Sequence, residues 1–217
     1  MAAIEHARRL QEHESGASFA SLPGAEDGAD ETQQKALADA TPPGWSYNPS
    51  AWKERRWLVG LAIIGWLAAL YTMLGQVGAV TLWDPFFGAH SSYLVTHSAI
   101  SRLLPIPDGA LGIVGYSADL LFGAPGCDER WRKTPWLVIL FGLTIIGLGI
   151  VSLALTITQG TIVQHWCTVC LISAAASTLI LGLGIGETLA SLQHIARQWR
   201  AGVSLWRALR GTGLPWR

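Results

Sequence analysis

The sequence predicts an all-α integral membrane protein, a four-transmembrane-helix bundle with both termini cytoplasmic. Three observations predict it. Residues 57–78, 135–158 and 166–186 run 22, 24 and 21 residues without a charge, and each meets the roughly 20 residues that cross about 30 Å of hydrocarbon. Charged residues make up 14% of the 217-residue chain, where about a quarter is usual for a soluble domain. With four spans, 14 of the 15 Lys and Arg residues fall on the side that holds the termini, the bias that marks the cytoplasmic face.

Residues 1–44 hold eight of the 15 acids and few large apolar side chains. Such a segment cannot bury enough surface to order itself, so it reads as a disordered cytoplasmic tail without a secretory leader. Lys53, Arg55 and Arg56 precede the first span. The connection 79–106 then faces outward and holds a single basic residue, Arg102. The second span is the shortest apolar run, residues 110–122, and carries Asp119. It reaches spanning length by starting near Pro107, since proline suits the first turn of a helix. Asp119 would lie near the cytoplasmic end, beside interfacial water or paired with Arg130 or Arg132. Those two arginines and Lys133 precede the third span, a short outward connection 159–165 follows it, and the fourth span begins at Trp166. Beyond a membrane domain of residues 45–192, the tail 193–217 repeats Trp199, Val203, Trp206 and Leu209 at helical spacing among arginines. That pattern suits a helix lying on an anionic leaflet. Eleven tryptophans fit membrane interfaces. No basic face suits nucleic acid, and three cysteines do not make a disulfide scaffold.

The chemistry-bearing stretch is "HWCTVC", residues 165–170. Cys167 and Cys170 are three residues apart at a helix start, so both sulfurs share one face and the helix dipole favours a thiolate. On these residues alone the pair is a redox dithiol, two inert buried thiols, or, with His165, part of a soft-metal site still short of the usual four ligands. Cys127, in the connection placed on the other side, reads as a free thiol. Asp108 reads as an N-cap of the second helix.

Four further stretches, taken together and in order, carry a resemblance. They are "WCTVC" opening the last helix, "LPIPDGALGIVGY" from Leu104 to Tyr116, "WDPFFG" from Trp83 to Gly88 followed by "YLVTHS" from Tyr93 to Ser98, and "YNPSAW" from Tyr47 to Trp52. Over residues 45–192 the chain resembles the vitamin K epoxide reductase family in its bacterial membrane form. The resemblance implies a four-helix bundle around a quinone, menaquinone or ubiquinone, in the bacterial inner membrane. It implies an enzyme that passes electrons from a thiol donor, such as a thioredoxin-like periplasmic partner, through a cysteine disulfide to that quinone. Carried over by position, Cys167 and Cys170 are the catalytic pair, with Cys170 nearer the quinone. Asp108 stands where the family often has an asparagine that hydrogen-bonds a quinone oxygen, and Ser98 matches a hydroxyl near the ring. Trp83, Phe86 and Phe87 cover the quinone mouth or serve as interfacial aromatics. His97 is a proton relay or a solvated histidine.

Two departures accompany the resemblance. The family usually carries a second cysteine pair in the outer loop that shuttles electrons inward; here residues 79–106 contain no cysteine, and Ser92 stands near the second position. A tyrosine commonly follows the membrane pair by four residues, and Ala174 occupies that place. A membrane scaffold that has kept the fold without the reaction is therefore the rival expectation, and a soft-metal binder is the other.

Overall fold

The computed structural model describes residues 40–101 and 106–212. Residues 1–39 of the expected tail 1–44, Arg102 and Arg217 lie outside them. The unit that begins at Pro42 is helical throughout its described residues: α1 (Trp52–Gln76), α2 (Gly88–Thr96), α3 (Asp108–Gly123), α4 (Arg130–Lys133), α5 (Pro135–Thr158), a π-helical turn (Gln159–Val163), α6 (Thr168–Arg200) and α7 (Leu205–Leu209).

Four of these form an up-down-up-down ring in which α1 packs on α3 and α6, and α5 packs on α3 and α6. The core between them is Leu58, Ala62, Ala69, Tyr116, Phe141, Ile145 and Ile180. The opposite faces stay apolar and exposed, as at Ile64, Leu67, Leu121, Leu143, Ile150 and Leu183. A helix that is apolar all round belongs in lipid. Small residues let the backbones approach: the Tyr116 ring occupies the space a side chain at Gly65 would need, and Gly109 abuts the Met73 backbone, as in other membrane helix pairs.

Three helices are long and apolar enough to cross a membrane: α1, α5 extended through Val163, and α6. The expected second span is a helix of only 16 residues, about 24 Å long. Its apolar run is stopped by the Gly-Ala-Pro-Gly sequence after Phe122. Elsewhere the helices outrun the charge-free runs. α1 begins five residues early, through the charged turn that holds Lys53 and Arg55, and α5 runs on through the π turn, so the outward connection shrinks to residues 164–167. Gln164, with φ +57°, reverses the chain there. α6 continues past residue 193 to Arg200. The tail is not one helix: Gly202, at φ +85°, breaks it before α7.

At the end of the bundle away from Cys167 and Cys170, a polar network ties the helix ends. Arg130 and Glu187 are both buried and meet in a two-pronged pair at 2.5 Å. Arg130 Nη1 also donates to the carbonyls of Phe122, Gly123 and Pro125 at 2.8–2.9 Å. Arg55 donates to Gly123, Ala124 and Gly126, and Ser50 Oγ donates to Glu187 at 2.5 Å. These side chains take up the carbonyls that the end of α3 leaves without helical partners. The network also corrects the expectation for Asp119. Arg130 is held by Glu187 and Arg132 by Glu129, while the buried Asp119 carboxylate has neither as a partner; both of its oxygens lack a hydrogen bond.

Candidate functional site

Cys167 is the N-cap of α6. Its extended backbone leaves the sulfur free to turn back, and Sγ accepts the Cys170 N–H at 3.3 Å. The Cys167 N–H points to Gln159 Oε1 of the π turn at 3.4 Å. Both cysteines are free thiols. Cys167 lies one residue before the apolar helix begins, and only 1% of it is exposed. A hydrogen bond from the Cys170 thiol, outweighing burial, holds its pKa down to about 7, below the usual thiol value of about 8.5.

Cys170 faces a cavity of about 350 Å³ at the same end of the ring. α1 contributes Thr72, α3 contributes Asp108, α6 contributes Cys170, Ser173 and Ala174, and Ser98 closes it from the segment after α2. The remaining lining is largely apolar, and two of its side chains, Val114 and Val151, are exposed on the bundle's outer face. The size falls in the ~300–1,000 Å³ range of small-molecule sites, and an apolar wall with a few convergent polar groups is their usual character.

Of the expected site residues, the structure brings Cys170, Asp108 and Ser98 to this one cavity, with Cys167 directly behind Cys170. Phe87 is not brought there. It is the residue before α2, exposed, and its N–H donates to Asp84 at 2.9 Å. His97 also stays off the lining; its ring stacks on Tyr93 with centroids 4.1 Å apart. Asp108 is not an N-cap. Pro107 holds that position, and the Gln76 side chain takes the capping role by accepting the Gly109 N–H at 3.1 Å. The same Gln76 amide donates to Asp108 Oδ1, to Ser101 Oγ and to the Thr96 carbonyl. Asp108 is thereby fixed to the end of α1. His165 is exposed, and among the described residues no three His, Cys, Asp or Glu side chains gather as a metal site would require.

Sequence reasoning passed over three residues here. Gln76 is the last residue of an otherwise apolar helix, and an amide in that place is itself a signal. Tyr116 Oη donates to the Ser173 carbonyl at 2.6 Å and lies 3.0 Å from Ser173 Oγ, so a tyrosine from α3 reaches the turn of α6 that holds Ala174. Asp84 is the third. It is 5% exposed and accepts five hydrogen bonds. Oδ1 takes the N–H groups of Phe86 and Phe87 and the Thr168 hydroxyl, and Oδ2 takes the Ser92 hydroxyl and the Thr168 N–H. Burial pushes its pKa up, but the donors from Phe87, Ser92 and Thr168 together outweigh that and hold it well below the ordinary carboxylate range. Asp before Pro in an outward segment signals a turn; that the turn reaches α6 is a tertiary fact.

With a dithiol at the cavity wall and four helices around it, the decisive comparison is with protein families. The vitamin K epoxide reductase family model matches residues 56–185. The chain belongs to the vitamin K epoxide reductase family. It is an integral membrane protein whose apolar helices contact lipid, and the family carries out thiol–quinone oxidoreductase chemistry in membranes. No curated protein matches the chain. The matched segment begins four residues into α1 and ends in the middle of α6, and it includes Cys167, Cys170 and all the polar residues of the cavity.

Proposed function

We propose that this family member is a membrane thiol–quinone oxidoreductase in which Cys167 and Cys170 form the working disulfide and the cavity beside Cys170 receives the ring of a menaquinone or ubiquinone. The single observation that carries the reading is the placement of Cys170: it lines an apolar cavity, and its N–H donates to Cys167 Sγ at 3.3 Å. Asp108 and Ser98 flank the cavity from two further elements and supply polar contacts for the quinone oxygens.

The oxidised state is a Cys167–Cys170 disulfide. A reduced dithiol donor, of which a thioredoxin-like periplasmic protein is the model, attacks the Cys167 sulfur, and Cys170 leaves as thiolate. The donor's second thiol then attacks the mixed disulfide, releasing oxidised donor and the Cys167–Cys170 dithiol. A quinone accepts two electrons and two protons, and the dithiol gives up the same number as its S–S bond re-forms. The chain contributes a dry wall around Cys170 and an acidic Cys167. Cys167 is buried, and its chain neighbours Trp166 and Thr168 are hydrogen-bonded to Ser91 and Asp84, so the donor gains the sulfur when those bonds open. No shuttle cysteine intervenes, since the outer segment has none.

In this reading α3 is the fourth span, completed at its ends by residues that do not continue the helix, and both termini face the cytoplasm of a bacterium. Anaerobic mixing of the dithiol protein with a short-chain ubiquinone or menaquinone tests the function. The expected outcome is optical reduction of the quinone that is lost in Cys170→Ser. Unchanged reduction in that variant, or none in the unaltered protein, overturns the reading. The scaffold alternative, favoured by the missing loop cysteines, predicts the second of these results.

A further inference from the structure

We propose that Gln159, together with Ser152 on the same face of α5, donates the hydrogen bonds that hold the oxygens of the quinone in the cavity beside Cys170. The proposal rests on the reading of that cavity as a quinone site and adds the donors such a site needs.

A quinone carbonyl accepts hydrogen bonds and has none to give, so its site must supply donors. Most hydroxyls on the cavity wall have already placed their protons. Thr72, Ser101, Thr144, Thr156 and Thr158 each donate to a backbone carbonyl at 2.8–3.0 Å. For the four threonines this is the usual habit of a hydroxyl on a membrane helix, which bonds back to the preceding turn. Ser173 Oγ lies 3.0 Å from Tyr116 Oη. Asp108 accepts from Gln76, and a carboxylate has no proton to donate. It suits the hydroxyl of a quinol, not the carbonyl of a quinone.

Ser152 and Gln159 depart from this pattern. Ser152 is buried, and among the described residues only its backbone carbonyl is engaged, by Thr156. Its hydroxyl proton is unspent. Gln159 is 5% exposed, and its Oε1 faces the Cys167 N–H at 3.4 Å. A backbone N–H can only donate, so the amide turns its oxygen to Cys167 and its nitrogen away. Among the described residues nothing accepts from that nitrogen. A buried donor without an acceptor is costly. Unlike the Asp119 oxygens, neither of these donors is sealed inside protein, and both residues line the cavity. Seven residues make close to two helical turns, so the two share one face. In the ring α5 stands diagonal to α1, across from Gln76 and the Asp108 it holds. The π turn begins at Gln159, and such turns recur at functional sites. Here one side chain bridges the backbone of Cys167 and the cavity that Cys170 lines. A hydrogen bond to a carbonyl oxygen strengthens as that oxygen gains electron density. The amide supplies that bond and never a proton.

The test reads the quinone carbonyls and needs no turnover. The full chain carrying Cys167→Ser and Cys170→Ser, in lipid nanodiscs, is titrated with 2,3-dimethyl-1,4-naphthoquinone. Bound ligand is recorded by infrared difference spectroscopy against empty nanodiscs. The carbonyl stretch is expected at lower frequency than in hydrocarbon. Adding Gln159→Leu should shift it back and weaken binding about tenfold, the effect of one hydrogen bond lost in a buried site. Ser152→Ala should shift the band in the same direction. 2,3-Dimethylnaphthalene, the same rings without the oxygens, should bind all three chains alike. A band that does not move in Gln159→Leu overturns the proposal. So does an equal loss of affinity for both ligands with helix content intact, since that marks a change of shape. If Gln159→Leu does not fold, Ser152→Ala decides, and an unmoved band there overturns the proposal. A cavity that binds neither ligand removes the quinone reading and this proposal with it. Quinone binding with unmoved carbonyls removes the proposal alone and leaves the quinone site standing.

Discussion

Asp84 controls how the clasp it forms between residues 84–92 and the start of α6 responds to acid. Its five donors keep the carboxylate ionised far below the pKa of about 3.9 that it has in an unfolded chain. A carboxyl whose folded pKa is depressed contributes stability that is fully present above the unfolded pKa, and that contribution is lost as the pH falls through the folded pKa. The clasp is therefore complete at pH 5 and above, and weakens only below about pH 4. Hydrogen exchange checks this. After correction for intrinsic rates, the Phe86, Phe87 and Thr168 amides should keep the same protection from pH 7 to pH 5. A loss of protection already at pH 5 would mean that the carboxylate is not held by these donors. The same residue shows where sequence reasoning stops. Cys167 and Cys170 are legible because their spacing and the helix start lie in five consecutive residues. Asp84 and Thr168 are 84 residues apart, and nothing local says that one caps the other. Asp108 misleads in the opposite sense: a carboxylate at a helix start is a good N-cap by propensity, but Pro107 takes the extended position and Gln76 supplies the cap from another helix.

At the level of elements, α5 starts where its charge-free run starts, because Pro135 opens it and the turn at Arg130–Lys133 precedes it. The others differ where a rule based on charge meets tertiary support. α1 accepts Arg55 because three carbonyls at the end of α3 satisfy its guanidinium, and α6 accepts Glu187 because Arg130 pairs with it. Absence of charge marks apolar runs but not the helical turns beyond them. α3 is the weakest of the four ring helices by the same reasoning, since it is the shortest of them and carries a buried carboxylate without a hydrogen bond. Thr144 stands near Asp119, but the Thr144 hydroxyl donates to the Phe141 carbonyl at 2.8 Å. A buried polar group without a partner costs about 1–3 kcal/mol. Asp119→Leu, of the same branched shape though larger, and free of polar atoms, should therefore stabilise the protein by about 1 kcal/mol or more. The expected measurement is a higher midpoint of thermal unfolding in detergent with unchanged Cys167 alkylation. A lower midpoint would show that Asp119 has a partner that must be kept.

For the whole molecule, the two ends of the ring differ in kind. One end holds the dithiol, the cavity and the Asp84 clasp. The other holds Arg55, Arg130 and Glu187, with Lys53, Arg56, Lys133, Arg197, Arg200, Arg207 and Arg210 following the helix ends on that side. The third cysteine, Cys127, lies just beyond the far end of α3 and is exposed, whereas Cys167 is buried. α3 begins at Asp108, on the cavity, and ends at Gly123, so about 24 Å of helix separates the two thiol positions along the bundle axis. A disulfide bridges Cα atoms about 4.4–6.8 Å apart, so Cys127 is too far away to join the pair proposed as the working disulfide. It serves instead as a marker of orientation. The basic end should face the cytoplasm, since Lys and Arg are retained there. In intact bacterial cells a charged, membrane-impermeant maleimide should leave Cys127 unmodified, and in inside-out vesicles it should modify Cys127 readily. Cys127→Ser should abolish that labelling and leave quinone reduction unaltered. Labelling of Cys127 in intact cells would invert the bundle, place the dithiol on the reducing side of the membrane, and remove the periplasmic donor from the mechanism.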